Sequence, residues 1–288
     1  MPVRLIINAD DFGLTRGVNR AIAELHDAGA VTSATLMANG AAFEDAVTLA
    51  RARPSLGVGC HIVLVDGTPV SAPETIPTLL GPDHRTFRNS LGDFALGVLR
   101  GSISQDEIQR EALAQIQKLR RAGLKLTHVD THKHTHLLSR VARPIILALE
   151  QSGIHCIRNP FEPRWAAALS GSIRRSLFVR AFEPGRRRFE ASPAIAAHRI
   201  LTARGTIGIS ATGHLNSTTL NAMLRSIPDG TWELVCHPGY NDPDLDAITT
   251  RLRTHREIEL NALLTAFAKF SSNPLHPSGL ELINYAEL

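Results

Sequence analysis

The sequence predicts an α/β protein, a modified TIM-like (β/α) barrel with a largely parallel sheet. Along most of the 288 residues short apolar runs alternate with segments of helical periodicity, the pattern of strand–helix–strand units whose helices cover a parallel sheet. Polar residues stand at the ends of many successive strand candidates: Asp10 and Asp11, His61, Asp130 and His132, Arg158, His214, and His237. So many contributing strands describe a barrel rim better than the single crevice of an open doubly wound sheet. The length also suits one α/β barrel, so residues 1–288 are expected to form a single domain.

The first strand, Leu5-Ile6-Ile7, runs into Asn8-Ala9-Asp10-Asp11. After Phe12 to Gly17 the apolar positions Val18, Ala21, Ile22 and Leu25 fall at helical spacing, with Gly29 as the stop. A strand over 33–37 and a helix over 42–51 follow, then an inner strand over 57–65 that carries His61. Residues 66–101 form a long loop punctuated by Pro and Gly, interrupted by a short helix over 91–99; a connection of that length reads as a lid or substrate loop. A helix over 106–121 sets Ile108, Ala112, Ile116 and Leu119 on one face, and Gly123 leads into a strand over 125–130. Next come a helix over 141–151, a strand over 154–158 and a basic, arginine-rich insertion over 159–200 with helix between Trp165 and Phe178. Strands over 206–209 and 232–236 restore the rhythm, and a helix over 251–270 places Leu260, Leu263, Leu264 and Phe267 on one side.

Composition narrows the classes. With 43% hydrophobic and 20% charged residues, disorder and coiled coil are excluded. The formal charge of +4 comes mostly from scattered arginines that thicken between Arg164 and Arg188, either a contact surface for phosphate or an anionic membrane or a solvated basic face. That cluster has too few nearby aromatics for a stacking platform, so no nucleic-acid partner is expected. Cys60, Cys156 and Cys236 lack disulfide or metal spacing and read as buried small hydrophobes in a reducing compartment. The N-terminus has no secretory signal and no apolar run reaches the ~18 residues of a membrane span, so a cytoplasmic location is expected, with peripheral contact at the inner membrane surface left open. Dinucleotide, phosphate-loop and nucleophile-elbow patterns are all missing, so no organic cofactor is expected. A homodimer is the default oligomer.

The densest chemical signal is His128-Val129-Asp130-Thr131-His132-Lys133-His134-Thr135-His136 at a strand's end. In extended chain His128, Asp130 and His132 point the same way, and imidazole with carboxylate suits a borderline divalent metal. The alternative is a surface cluster. Asp10 and Asp11 would repel one another if both were buried and unpaired, a strain relieved when one ligates a cation and the other acts as a base; an acidic pair at a helix N-terminus is the simpler reading. His61 is a third ligand candidate once those clusters are accepted. In His237-Pro238-Gly239-Tyr240 the turn residues would hold the imidazole at a pocket rim as an acid or transition-state donor.

These motifs, together with Val31-Thr32-Ser33-Ala34-Thr35-Leu36-Met37 and Gly57-Val58-Gly59-Cys60-His61, make the chain strongly resemble the YdjC-like carbohydrate deacetylases, a family also associated with chitooligosaccharide deacetylation, over nearly its whole length. The resemblance implies a modified TIM-like barrel, one divalent metal ion (Mg or Zn) held by Asp11, His61 and His132, Asp10 as general base and His237 as an assisting rim residue. The stretches His61 to Val70, Asp83 to Arg88 and Arg158-Asn159-Pro160-Phe161-Glu162-Pro163 further resemble the hopanoid-biosynthesis-associated branch. That branch implies an acetylated amino sugar linked to a lipid, N-acetylglucosaminyl hopanoid, as substrate; a chitooligosaccharide deacetylase and a non-enzymatic carbohydrate-binding protein are the alternatives. Lys133 stands where many members of the broader family carry glutamine or histidine.

Overall fold

The structure is a computed structural model that describes residues 3–170, 173–267 and 279–288. Its strands are β1 (Val3–Phe12), β2 (Ser33–Leu36), β3 (Gly57–Ile62), β4 (His128–Thr131), β5 (Thr206–Ile207), β6 (Thr231–Cys236) and β7 (Leu280–Leu282). The helices are α1 (Arg16–Asp27), α2 (Phe43–Arg51), α3 (Leu91–Arg100), α4 (Gln105–Arg121), α5 (Ser139–Ser152), α6 (Arg164–Leu169), α7 (Ile173–Glu190), α8 (Pro193–Ala196), α9 (Ser217–Ser226) and α10 (Thr254–Phe267).

The sheet order is β4-β3-β2-β1-β6-β5, and all pairings are parallel. β1 lies at the centre with Val3, Leu5, Ile6, Ile7 and Ala9 fully buried, as a strand covered on both faces must be. β7 pairs with Val3 to Leu5, and β2 pairs with β1 from Asn8 onward. Beyond β4 the wall continues through two isolated parallel bridges, Val129 with Ile157 and Cys156 with Leu201. Side-chain bonds link this segment to β5: Thr206 Oγ1 donates to the Asn159 carbonyl at 2.7 Å. The result is a curled half-barrel of TIM-like form, as the alternation of strand and helix predicts.

Most elements fall where their periodicity places them. Thr15 caps α1 by accepting from Val18 N, and Ile108, Ala112, Ile116 and Leu119 of α4 are fully buried. The strand expected over 154–158 shrinks to the two bridges; Pro160, lacking an N–H, cannot extend the ladder. The helix expected between Trp165 and Phe178 is instead α6 and a longer α7 that continues through Pro184 to Glu190. The expected end of the last helix, 268–270, lies outside the described residues. All three cysteines are free and buried. Among the described residues no helix is long and apolar enough to cross a membrane.

The long connection after β3 is held down by one face of α4. Gln115 accepts from Val63 N at 2.9 Å and donates to its carbonyl at 2.7 Å. Glu111 accepts from Val70 N and Ser71 N, both at 2.9 Å. Glu107 accepts from Thr78 N and Oγ1 at 2.8 and 2.7 Å. Successive i, i+4 positions thus satisfy backbone groups that no ladder reaches. On its other side the loop is tied by Asn39 Nδ2 donating to Thr68 O at 2.8 Å and by a Lys133–Asp66 ion pair.

Candidate metal centre and its surroundings

Adjacent residues on a regular strand point to opposite faces, yet Asp10 and Asp11 face the same site. The β1–β2 register explains this: Ala9 pairs with Ala34 but Phe12 with Leu36, so β1 carries one extra residue there. Asp11 absorbs the bulge with φ of 65°, a conformation aspartate tolerates better than most side chains. His61 arrives from β3 directly opposite Asp130 of β4 in the parallel register. His132 follows β4, where the chain reverses through Lys133 and His134, both at positive φ.

Asp11 Oδ1, His61 Nε2 and His132 Nδ1 converge. The separations are 3.6 Å from Asp11 to His61, 3.3 Å from Asp11 to His132 and 3.3 Å between the imidazoles. Donors ~2.1 Å from a tetrahedral cation stand ~3.4 Å apart, so the spacing fits a shared ion. Asp11 Oδ1 is buried and makes no hydrogen bond, while Oδ2 accepts from Arg256 Nη2 at 2.7 Å. On His61, Nδ1 faces Asp130 Oδ1 at 2.7 Å, which holds a proton on that nitrogen and leaves Nε2, on the Asp11 side, as the atom that a cation would take. Burial would lower the His61 pKa, but Asp130, Asp10 and Asp11 raise it to about 9; a cation there therefore displaces a proton.

A second carboxylate–imidazole group, Asp10, His61 and Asp130, is also compact, but its cation position is filled. Arg158, fully buried, aims Nη1 and Nη2 at the two oxygens of Asp10 at 2.8 and 2.7 Å. Nη1 also meets Asp130 Oδ2 at 2.6 Å, and Nη2 meets Glu233 Oε1 at 2.7 Å. One planar guanidinium thus serves carboxylates from β1, β4 and β6 across the interior, geometry that a lysine cannot reproduce. Burial pushes the Asp10 pKa up, but Arg158, with His61 and His237 nearby, holds it well below the usual carboxylate range. Asp10 is therefore ionised. Its Oδ2 lies 3.7 Å from His237 Nε2, and His237 is fixed by its own N–H donating to Glu259 Oε2 at 2.6 Å.

The histidine run divides by depth. His128 stacks on Tyr285 at 3.7 Å and bonds Asn8 Oδ1 at 3.0 Å, so it supports the barrel instead of joining His132 at the site. Asp130 faces inward as expected but engages His61 and Arg158. His136 bonds Thr131 Oγ1 and the Arg158 carbonyl. Thus Asp10, Asp11, His61, His132 and His237 are brought together, whereas His214 lies exposed beside His255. The roles of Arg256, Glu259 and Thr35 were missed: the first two sit in an ordinary helical pattern, and Thr35, which donates to Asp130 Oδ2 at 3.1 Å, reads as plain strand.

Known proteins resemble the chain over most of its length. A carbohydrate deacetylase of Brevibacillus brevis is 34% identical over 99% of this chain and 100% of its own length. The human carbohydrate deacetylase is 33% identical over 83% of this chain and 75% of its own. A crystal structure from Enterococcus faecalis V583, of a protein described as a candidate for cellobiose-phosphate cleavage, superposes with a TM-score of 0.77 at 22% identity, covering 100% of this chain and 99% of that one. The family model for YdjC-like proteins matches residues 4–269, and the chain belongs to that family.

Proposed function

We propose that the chain is a metal-dependent hydrolase that removes the N-acetyl group from an acetylated amino sugar, with N-acetylglucosaminyl hopanoid as the substrate. The convergence of Asp11 Oδ1, His61 Nε2 and His132 Nδ1 beside an ionised Asp10 carries this reading, and the similarity to carbohydrate deacetylases along the full chain supports it. A divalent cation held by Asp11, His61 and His132, zinc being favoured over magnesium by the two imidazoles, would polarise the acetyl carbonyl and acidify a water.

The protein's own groups do the rest. Asp10 is clamped by Arg158 with Oδ2 toward His237; it accepts the water's proton as the water oxygen attacks the carbonyl carbon. The clamp makes Asp10 a weak base, so its value lies in fixed position more than in basicity. In this reading His237 Nε2, 3.7 Å from Asp10 Oδ2, protonates the leaving nitrogen as the C–N bond breaks, releasing acetate and a free amine. Asp130 keeps the His61 proton on Nδ1 throughout.

The lipid-linked substrate draws support from the surface. Leu96 and Leu99 of α3 are 44% and 64% exposed, and Leu147 of the adjoining α5 is 41% exposed. Arg100, Arg140 and Arg143 are exposed on the same two helices, a composition suited to peripheral contact with a membrane. A chitooligosaccharide is the second reading, favoured by the similarity to carbohydrate deacetylases along the full chain.

The test is acetate release by purified, metal-reconstituted protein on N-acetylglucosaminyl hopanoid and on di-N-acetylchitobiose. Preference for the hopanoid supports the full assignment. Preference for chitobiose retains the chemistry and overturns the lipid-linked substrate, and no acetate from either overturns the deacetylase reading.

A further inference from the structure

Arg256 stands at 1% exposure on α10, and its Nη2 donates to Asp11 Oδ2 at 2.7 Å. Its Nε donates to the Leu252 carbonyl at 3.1 Å, and among the described residues Asp11 is the carboxylate it pairs with. The helix carrying it is anchored on the same side of the site. Glu259, one turn on and equally buried, accepts from His237 N at 2.6 Å and Gly213 N at 3.0 Å. The Arg256 carbonyl accepts from Gly239 N at 3.3 Å. An arginine placed against the rear oxygen of a ligand carboxylate opposes a cation electrostatically, so net affinity is not what it supplies.

We infer that Arg256 is a positioning residue that occupies Asp11 Oδ2, restricts Asp11 to one donor oxygen and leaves the bound cation more electron-poor than a bidentate carboxylate would. The inference rests on Asp11, His61 and His132 being the ligand set. Pairing Asp11 with one guanidinium offsets the charge of the single anionic ligand, so the ligands themselves neutralise little of a divalent ion's charge. That holds the ion less tightly but leaves it a stronger polariser of a carbonyl, while Asp10, which shares Arg158 with two other carboxylates, supplies negative charge beside the site. The geometry of α10 also couples the two ends of the site: the helix that fixes the Asp11 oxygens fixes the His237 backbone one turn later.

The test uses the full-length protein loaded with cobalt(II). Arg256→Met is compared with wild type and with Arg256→Lys by calorimetric titration, visible absorption and thermal melting. With the guanidinium removed, cobalt is expected to bind roughly tenfold more tightly, with a weaker d–d absorption as Asp11 donates through both oxygens, while kcat falls and KM changes little. Arg256→Lys should fall between the two. A folded Arg256→Met protein with wild-type affinity and spectrum, or with weaker binding, overturns the inference. If Arg256→Met does not fold, wild-type affinity and spectrum in Arg256→Lys at reduced kcat likewise overturn it, whereas tighter binding in that variant supports it. Asp11→Ala is the separate control: cobalt binding unchanged by that substitution would mean that the ligand set itself is wrong.

Discussion

Asp130 Oδ1 lies 2.7 Å from His61 Nδ1, and the two residues face each other across the β3–β4 register. The same carboxylate accepts from Arg158 Nη1 at 2.6 Å on its other oxygen, so both of its oxygens are engaged while it orients the imidazole. Removing it frees the tautomer and ring orientation of a predicted ligand. Asp130→Ala is expected to lower metal affinity by roughly 10–100-fold, measured by competition with a chromophoric chelator. Unchanged affinity would remove Asp130 from that role.

Asp10 and Asp11 are adjacent but differently bound, so their substitutions should separate. Asp10→Asn is expected to retain the metal in elemental analysis and to lower kcat by about 10²–10⁴. Metal lost from that variant would mean that the two aspartates have exchanged roles.

Arg158 compensates Asp10, Asp130 and Glu233 with one buried charge. Arg158→Met strands those carboxylates and should cost about 3–5 kcal/mol in urea unfolding. Burial already raises the Glu233 pKa against the pull of Arg158, so the variant should also take up protons at higher pH than wild type does. A loss below ~1 kcal/mol would show that the interior is far better hydrated than its burial implies.

His136 has its pKa lowered to about 3, chiefly by burial and then by Arg158, and His128 is pushed down for the same reasons. Below their ordinary value of about 6.5 the unfolded chain binds protons that the folded chain refuses. The contribution of these two histidines to stability is therefore full above pH 6.5 and is lost as the pH drops, down to about 3 for His136, by about 1.4 kcal/mol per pH unit for each. Equilibrium unfolding at several pH values should show this slope, and His136→Asn should flatten it. A wild-type profile that is flat between pH 6 and 4 would contradict the burial of neutral imidazoles.

Much of this was legible in the chain. The apolar runs of β1, β3 and β6 and the spacing of α1 and α4 follow from local patterning, and Asp10, Asp11, His61, His132 and His237 stand out because ionisable residues at strand ends are conspicuous. Neighbours in space were harder to see. Nothing in Asp10-Asp11 announces a bulge, since register is decided between strands. Alternation alone suggested that His128 and His132 share a site; their separation comes from depth along the barrel axis, which period two does not encode. Arg256 and Glu259 sit in a helix whose apolar residues explain it without them. The second half of α7 reads as loop in the sequence because Pro184 and Gly185 interrupt it and three arginines follow.

The ladder from Glu107, Glu111 and Gln115 to the loop after β3 makes that loop and α4 one inheritable unit. A loop transplanted from a relative onto this α4 would meet acceptors spaced for a different backbone, leaving buried carboxylates unmatched. Engineering of this loop therefore has to move residues 63 to 121 together, and natural variation in it should be written in paired changes on the loop and on this helix face.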